Sequence, residues 1–496
     1  MATAMPTNEL RLTAWDVAAA CGGHVVCVDG EGRVARGVVS DSRAVRRETA
    51  FFALRGGMFD GHAFAARAAE DGAVLLVVEE GRGGASPHAD VVEVKDTLVA
   101  WGEVARAHLR AWRRVRARSL AARTLVITGS AGKTTTKELS AALLAEAGTV
   151  WATPGNLNNL VGLPSVAFAV EASHRFAVLE AGMNVPGEIA RLAAIAEADV
   201  ALVTNVGVAH AEGVGGTRSH VGWEKGALFA ALEGSGTAIA CADDAAALGQ
   251  LARTRALHIR TFGRAEGATY RLLERVSRGL GGSRLTVGRP CAHVSGPEPR
   301  EQLEIELPLV GEAAAIDFCG ALAAAEAMLG ETLDVARVQA GVNRVRQIGG
   351  RSDTFELADG TLVIDDSYNA NPASMRAAFR TLADLAAGSR RTVAFLGEMK
   401  ELGVLADDEH ERLGDELAAL RVSVVVGCGG LIDRALTRAK VLGLEVHHAV
   451  SAAEAATVAG LVVRPGDVVL VKGSRSVGAE AVVRALELLH GKKEAP

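Results

Sequence analysis

No window of this 496-residue chain holds eighteen consecutive apolar residues, so the sequence predicts no membrane-spanning helix. The opening residues, MATAMPTNELRLTAWDVAAACGG, have no basic segment followed by an apolar core and therefore no signal-peptide pattern. Six cysteines (Cys21, Cys27, Cys241, Cys291, Cys319 and Cys428) are scattered without a single C-x-x-C pair. That spacing excludes a disulfide frame or zinc site and predicts small core residues in a reducing compartment. Basic residues are not in excess: 53 Lys and Arg stand against 59 Asp and Glu, a formal charge of −6. A nucleic-acid binder would carry a basic domain to neutralise phosphate, so no nucleic-acid partner is expected. Aromatics supply only 4% of residues, yet the 49% hydrophobic content is ample for several cores. No internal repeat is visible, and the length fits about three domains of a cytoplasmic protein.

What is present is TLVITGSAGKTTTK, residues 124 to 137. Thr124 to Thr128 read as a buried strand and Lys137 to Ala147 as a helix. Gly129 and Gly132 allow the tight backbone in which the N–H groups of the loop Gly129, Ser130, Ala131, Gly132 converge on one anion. The helix start adds its positive dipole end. Lys133 supplies a mobile charge for terminal phosphates, and Thr134, followed by Thr135, places a hydroxyl for Mg²⁺. The general pattern G-x-x-x-x-G-K-[ST] would need glycine at position 127, where Ile127 stands; the loop is the tighter G-x-x-G-K-T. It reads as a nucleotide-phosphate site.

Around this loop the chain predicts an α/β protein of three domains: residues 1–105, 106–345 and 346–496. The first is a small α/β module, with Thr13 and Asp16 capping a helix over Ala14–Ala20. Trp101 to Arg123 reads as an amphipathic connecting helix carrying Arg106, Arg110, Arg113, Arg114, Arg116, Arg118 and Arg123; a solvated face is the expected role of such a charge run. In the second domain, TLVIT, FAVLEAG, DVALVTNVG and GTAIACADD are continuous apolar runs suited to a parallel sheet covered on both faces. Arg264 to Glu306 is irregular and β-like, an insertion or edge, and an alanine-rich helix over 313–328 closes the domain. From residue 346, TLVIDDSYNAN, RTVAFLGEM, VSVVVGCGG, LEVHHAV and DVVLVKGSRS repeat the strand–helix alternation of a Rossmann-like unit. It lacks G-x-G-x-x-G, so no dinucleotide is assigned to it.

Phosphoryl transfer is mainly positioning and charge neutralisation, so metal ligands are expected near the loop. Glu180 ends the strand FAVLE, and His210 lies just beyond the next strand; a carboxylate suits Mg²⁺, and an imidazole can join such a site. Lys225, in WEKGALF, reads from its spacing alone as a solvated lysine near a helix start.

Taken together, TGSAGKTTTK, TPGNLNNLVGLP, LEAGMNVPGEIA, VTNVGVAHAEG, EKGALF, IDDSYNANPASM and VKGSRS resemble the Mur ligase family, and SDSRAV with FFALRGGMFDGHAF resembles its uridine-nucleotide-binding module. The resemblance spans all three domains in order. It implies an N-terminal UDP-substrate-binding module, a central P-loop ATPase domain and a C-terminal Rossmann-like ligase domain. Within the family the motifs are most similar to the branch that joins D-alanyl-D-alanine to UDP-N-acetylmuramoyl-tripeptide in peptidoglycan precursor synthesis. The implied reaction uses ATP and Mg²⁺, passes through an acyl phosphate and releases ADP and phosphate; a monomer is expected.

Carried onto this sequence, the resemblance makes Lys133, Glu180, His210, Lys225 and Arg351 the catalytic set. Thr134 and Glu180 would hold the Mg²⁺ shared with the phosphates, His210 a second one, and Lys225 matches the lysine that CO₂ converts to a carbamate. Asp366 and Asn369 would face the ATP ribose and base. Asn156, Asn158 and Asn159 would lie near the sugar or peptide. Asp41, Ser42 and Arg43, with Gly61 and His62, match the uridine motif. Lys472, Ser474 and Arg475 would place the dipeptide. One departure stands out: the family pattern G-x-H-N-x-x-N is replaced by GEAAAID, with Ala313 and Ala314 at the His and first Asn and Asp317 at the second, so base recognition must differ. Domain closure about Gly349 and Gly350 is expected. The competing readings are an ADP-forming folylpolyglutamate-type or single-amino-acid Mur-type ligase, and a P-loop switch or transport ATPase.

Overall fold

In a computed structural model of the chain, residues 3–27, 32–57, 59–83, 86, 88–116, 121–290, 301–345 and 349–491 are described. Cys291, Arg118 and the side chains of Cys27 and Arg116 lie outside them. Three larger sheets, of five, nine and six strands, follow one another along the sequence.

The five-stranded sheet runs His24–Cys27, Asp90–Val94, Ala73–Glu79, Thr49–Phe52, Val38–Val39. Its first helix, Ala14–Cys21, begins at the expected Thr13–Asp16 capping box and ends at Gly22, whose φ of 69° few other residues adopt without strain. The basic helix, Thr97–Arg116, joins this unit to the next. Trp101 is buried on it between Phe52 of the first unit and Phe168 of the second, with ring centroids 5.1 and 4.7 Å away. Its indole N–H donates to the Val161 carbonyl at 3.0 Å. Position 105/106 thus falls inside a helix that both units share. The arginines of that helix are not simply solvated: Arg106, Arg110 and Arg113 converge on Glu197.

The nine-stranded sheet carries the loop. Six strands, Val150–Ala152, Phe176–Glu180, Arg123–Thr128, Val200–Val203, Thr237–Cys241 and His258–Gly263, lie side by side in parallel. Register decides the site: Glu180 pairs with Ile127 and Val203 with Thr128, so the three central strands end together at the loop. The β-like stretch forms an edge, Tyr270–Ser277, Ser283–Arg289 and Glu301–Leu307, the last two pairings antiparallel. The loop helix spans Lys133–Leu144, starting four residues before the expected Lys137. Thr134, Thr135 and Thr136 have weak helix propensity, but the buried, alanine-rich helix Glu312–Leu329 packs along this segment and overrides it.

The six-stranded sheet has the order Asp353–Glu356, Leu362–Asp366, Val468–Lys472, Thr392–Gly397, Val424–Cys428, Glu445–Ala449. Five strands are parallel; Asp353–Glu356, too short and polar to read as a strand, adds antiparallel at the edge. Asp366 and Lys472 are register partners at one sheet end. Three of the described free cysteines, Cys241, Cys319 and Cys428, are buried in these cores.

Candidate active site

The carboxyl ends of the second and third sheets face one cavity of about 710 Å³, a size suited to a nucleotide. The loop is held from behind. Ser130 N–H donates to the Asn205 carbonyl at 3.1 Å, and Ala131 N–H to the Asn205 side-chain oxygen at 2.9 Å, so these two groups face Asn205 and, against the expectation from the sequence, do not converge on an anion. Glycine is obligatory at position 129: a Cβ there would stand 1.8 Å from the Thr204 hydroxyl. Lys133 Nζ donates to the Gly129 carbonyl at 2.7 Å. Burial lowers the proton affinity of its ammonium, with Glu180 opposing and Arg351 reinforcing that shift. Its charge therefore gains most from an incoming anion.

Beside the loop, Glu180 is 1% exposed and doubly anchored. Thr134 Oγ1 donates to one carboxylate oxygen at 2.9 Å and Asn158 Nδ2 to the other at 2.8 Å. The segment carrying Asn158 is itself pinned: buried Lys137 donates to the Thr153 carbonyl, and Thr153 Oγ1 accepts from Glu180 N–H at 3.0 Å. Hydroxyl and carboxylate oxygens together are the hard donor set that Mg²⁺ prefers, the remaining positions falling to phosphate and water. No cluster of three His, Cys, Asp or Glu side chains able to hold an ion by themselves exists among the described residues.

His210 lies across the cleft with a backbone φ of 62°. Its Nδ1 meets Glu401, which comes from the third unit. Burial pushes the imidazole down from its ordinary range; Lys133 and Lys225 add to this, and Glu401 opposes it. Lys225 is 1% exposed on the helix Arg218–Ala230, so the solvated lysine read from spacing is instead a core residue. Burial, then the charge of Lys133, hold its ammonium well below the usual lysine range.

From the third unit come Arg351, Ser352, Asp366, Tyr368, Asn369, Lys472, Ser474 and Arg475, all lining the same cavity. Asp366 accepts from Ser352 N–H at 3.0 Å and from Lys472 Nζ. Lys472, 1% exposed, also donates to the Asn369 carbonyl at 2.9 Å. Two residues expected to serve different ligands are therefore each other's partners. Ser474 Oγ accepts from Lys400 N–H at 3.0 Å, fixing the neighbouring loop. Asn371, within the quoted NANPASM but given no role there, caps the helix Pro372–Ala386 and donates 3.2 Å to the Ser130 carbonyl. Only the assembled structure shows that this cap touches the phosphate loop.

The asparagine turn divides. Asn156 and Asn159 line the cavity with Asn158, but Asn159 Oδ1 accepts from Val161 and Gly162 N–H at 3.1 and 2.8 Å, closing the turn before a helix. The uridine-motif residues are not among the cavity's walls. Asp41 accepts from Arg43 N–H at 2.9 Å at the start of the turn Ser42–Ala44. Gly61 is pressed against Leu54 and Ala53, leaving no room for a Cβ. His62 bridges Asp60, at 2.6 Å, to Glu79 N–H, at 2.9 Å.

The departure GEAAAID also becomes physical. Ala313 and Ala314 line the cavity with the apolar Leu309, Val310 and Ala378. Asp317, 8% exposed, presses on the loop: a Cβ on Gly132 would lie 2.4 Å from its oxygen. Burial raises this carboxyl well above the usual range.

Comparison with known proteins agrees with this arrangement unit by unit. Residues 35–109 match the model "Mur ligase family, catalytic domain", 127–325 the "Mur ligase middle domain", and 350–475 the "Mur ligase, glutamate ligase domain". The UDP-N-acetylmuramoyl-tripeptide–D-alanyl-D-alanine ligase of Escherichia coli strain K12 is 33% identical over 454 residues, 91% of this chain and 93% of the relative. A crystal structure of MurF from Acinetobacter baumannii superposes with a TM-score of 0.84 at 26% identity, covering 97% of this chain and 99% of that one. MurF ligase from Thermotoga maritima in complex with ADP gives 0.76 at 27% identity, covering 91% and 97%. The chain belongs to the Mur ligase family.

Proposed function

We propose that this protein is the ADP-forming ligase that joins D-alanyl-D-alanine to UDP-N-acetylmuramoyl-tripeptide, in the cytoplasm, as a step of peptidoglycan precursor synthesis. The observation that carries this reading is one cavity in which the phosphate loop and Glu180 meet Arg351, Asp366 and Arg475 of a separate sheet. A switch or transport ATPase has no use for that second wall. Similarity to ligases of this name runs over nine-tenths of the chain, which favours them over single-residue adders.

The chemistry follows from the groups present. A carboxylate is a poor acyl donor, because oxide would have to leave. Its oxygen instead attacks the γ-phosphorus of ATP, the bond to ADP breaks, and an acyl phosphate forms. The amine nitrogen of the dipeptide then attacks the acyl carbon, and the tetrahedral intermediate expels phosphate as the amine loses its proton. Both steps bring anions together, so preorganised positive groups do most of the work. Lys133 and the N–H groups at the start of its helix hold the β- and γ-phosphates, the Ser130 and Ala131 N–H groups being taken by Asn205, and Arg351 approaches them from the third domain. Thr134 and Glu180 would hold a Mg²⁺ that neutralises developing phosphate charge. With its proton on Nδ1 facing Glu401, His210 would offer its Nε2 lone pair to a second cation, the arrangement that carboxylate–histidine pairs favour. Burial disfavours the Lys225 ammonium, which makes its free amine easier to reach for addition to CO₂; the new N–C bond and loss of one proton would leave an anionic carbamate, which would attract the cation that an ammonium repels. Arg475 is suited to pair bidentately with the dipeptide carboxylate.

The test is phosphate release from ATP by the full-length protein, probed with each acceptor. Turnover should need both UDP-N-acetylmuramoyl-tripeptide and D-alanyl-D-alanine. Equal release without either would establish a plain ATPase, and release with glutamate in place of the dipeptide would establish the folylpolyglutamate-type alternative.

A further inference from the structure

Two cationic side chains in the cavity share one aromatic ring. The guanidinium carbon of Arg351 lies 4.1 Å from the centroid of Tyr368, and that of Arg475 lies 5.5 Å from it. Among the described residues neither guanidinium lies within ion-pair distance of a carboxylate, and the Arg351 charge acts on Asp366 only as the smallest of the influences on it. The backbone that carries the ring is well fixed. Tyr368 N–H donates to the Gly350 carbonyl at 2.9 Å, and Gly350, at φ 76°, brings its backbone so close that a Cβ would meet Tyr368 Cβ at 3.3 Å. Asp366, two residues earlier, holds Ser352 N–H. The residues on both sides of Arg351 are thus tied to the segment that carries the ring.

We propose that Tyr368 is a positioning residue that presents Arg351 and Arg475 together, one to the nucleotide and one to the second anionic substrate. The physical argument is a contrast between two ways of holding a cation. A carboxylate partner would fix a guanidinium but cancel its charge and occupy its donor edge. An aromatic face attracts it through the ring quadrupole and leaves the charge and the N–H fork available to an anion. Lys472 in the same wall shows the other arrangement, since Asp366 and the Asn369 carbonyl already satisfy it. One platform under two arginines also links the two substrate positions, because displacing the ring disturbs both.

This inference rests on the ligase reading, and the experiment separates the two. Wild-type protein is first assayed for phosphate release that depends on both acceptors; absence of that dependence defeats the ligase reading itself. With it established, Tyr368→Leu should raise KM for ATP and for the dipeptide each by about fivefold to tenfold, with a smaller change in kcat. Tyr368→Phe, which keeps the ring and loses only the hydroxyl, should restore most of both. A double-mutant cycle adds Arg351→Ala: if the ring acts through that arginine, the ATP effect of Tyr368→Leu should largely vanish in its presence. Thermal melting of each variant checks that the fold persists. Equal loss in the Phe and Leu variants, or full additivity with Arg351→Ala at unchanged melting, would overturn the proposal.

Discussion

Asn158 offers the sharpest test of how Glu180, the carboxylate proposed to hold Mg²⁺, is itself held, because two readings of Asn158 diverge. The resemblance places it near the sugar or peptide, whereas the structure spends its amide on Glu180 at 2.8 Å. Removing that donor by Asn158→Ala leaves one oxygen of a carboxylate that is only 1% exposed without a ready replacement from water. Hydrogen bonds to charged groups are worth about 1.5–3 kcal/mol, so kcat/KM should fall roughly 10- to 150-fold if the orientation of Glu180 is needed in the transition state. The loop itself should stay in place, since Gly182 N–H still donates to the Asn158 carbonyl at 2.8 Å. The assay is initial-rate phosphate release across a Mg²⁺ titration. The half-saturating Mg²⁺ concentration should rise, while KM for the UDP substrate changes by less than about threefold. A large rise in that KM with an unchanged Mg²⁺ profile would refute the reasoning and make Asn158 a substrate contact.

Lys133→Ala should abolish turnover in the same assay; a mere doubling of KM for ATP would mean that the loop does not grip the reacting phosphates. Asp317 carries a pH prediction. Its carboxyl is raised by burial, so the folded state retains its proton longer than the unfolded chain does, and stability is lost as pH rises from the ordinary carboxylate range near 3.9 through the folded value. Asp317→Asn should therefore stabilise the protein increasingly with pH in denaturant titrations, and show no gain below about pH 4. Arg289, 2% exposed, bonds Glu326 and the Leu333 carbonyl, and Tyr270 donates to the same Glu326 at 2.7 Å. Arg289→Ala strands a buried carboxylate far from the cavity and should cost about 3–5 kcal/mol in unfolding experiments with KM values unchanged. Finally, the contacts across the cleft (Asn371 to Ser130, Glu401 to His210) define a closed arrangement of its two walls. If an ATP analogue and the UDP substrate select it from a more open ensemble, small-angle scattering should register compaction when both are present, and an unchanged envelope would count against closure.

Much of the architecture was legible because parallel strands buried on both faces must be continuously apolar, and four such runs bracket the phosphate loop in order. The loop announced itself through glycines with a steric reason. What the sequence concealed is what depends on partners distant along the chain. Thr134 to Thr136 look like poor helix residues until Glu312–Leu329 packs against them. Lys225 looks solvated because nothing local reveals that Val221, Leu228 and Phe229 bury the helix on which it sits. Asn371 reads as a cap, which it is, and its second bond to Ser130 spans 241 positions. Glu401, Tyr368 and Asp60 sit inside or beside quoted motifs, yet only the fold shows that they hold His210, two arginines and His62.

The same distinction sorts the positive charges of the cleft. Lys472, Lys133, Arg351 and Arg475 all end at one cavity, and sequence alone cannot rank them as anion binders. The structure can, through what each already touches. Lys472 is buried against Asp366 and the Asn369 carbonyl, so an incoming phosphate or carboxylate gains little from a charge already balanced. Among the described residues Lys133 donates to the Gly129 carbonyl alone, a neutral partner it can leave, and burial makes its charge, only partly offset by Glu180, costly until an anion arrives. Arg351 and Arg475 rest on a ring that holds without neutralising. The proposed anion binders are therefore Lys133, the N–H groups at the start of its helix and these two arginines, while Lys472 keeps Asp366 in place. It follows that Lys472→Met and Arg475→Met should differ in kind: the first should disturb Asp366 and with it the nucleotide, so that ATP affinity measured by calorimetry falls, and the second should weaken the dipeptide and leave ATP affinity intact. If the two variants instead lose dipeptide affinity alike, partner chemistry is not what selects the anion-binding cations in this cleft.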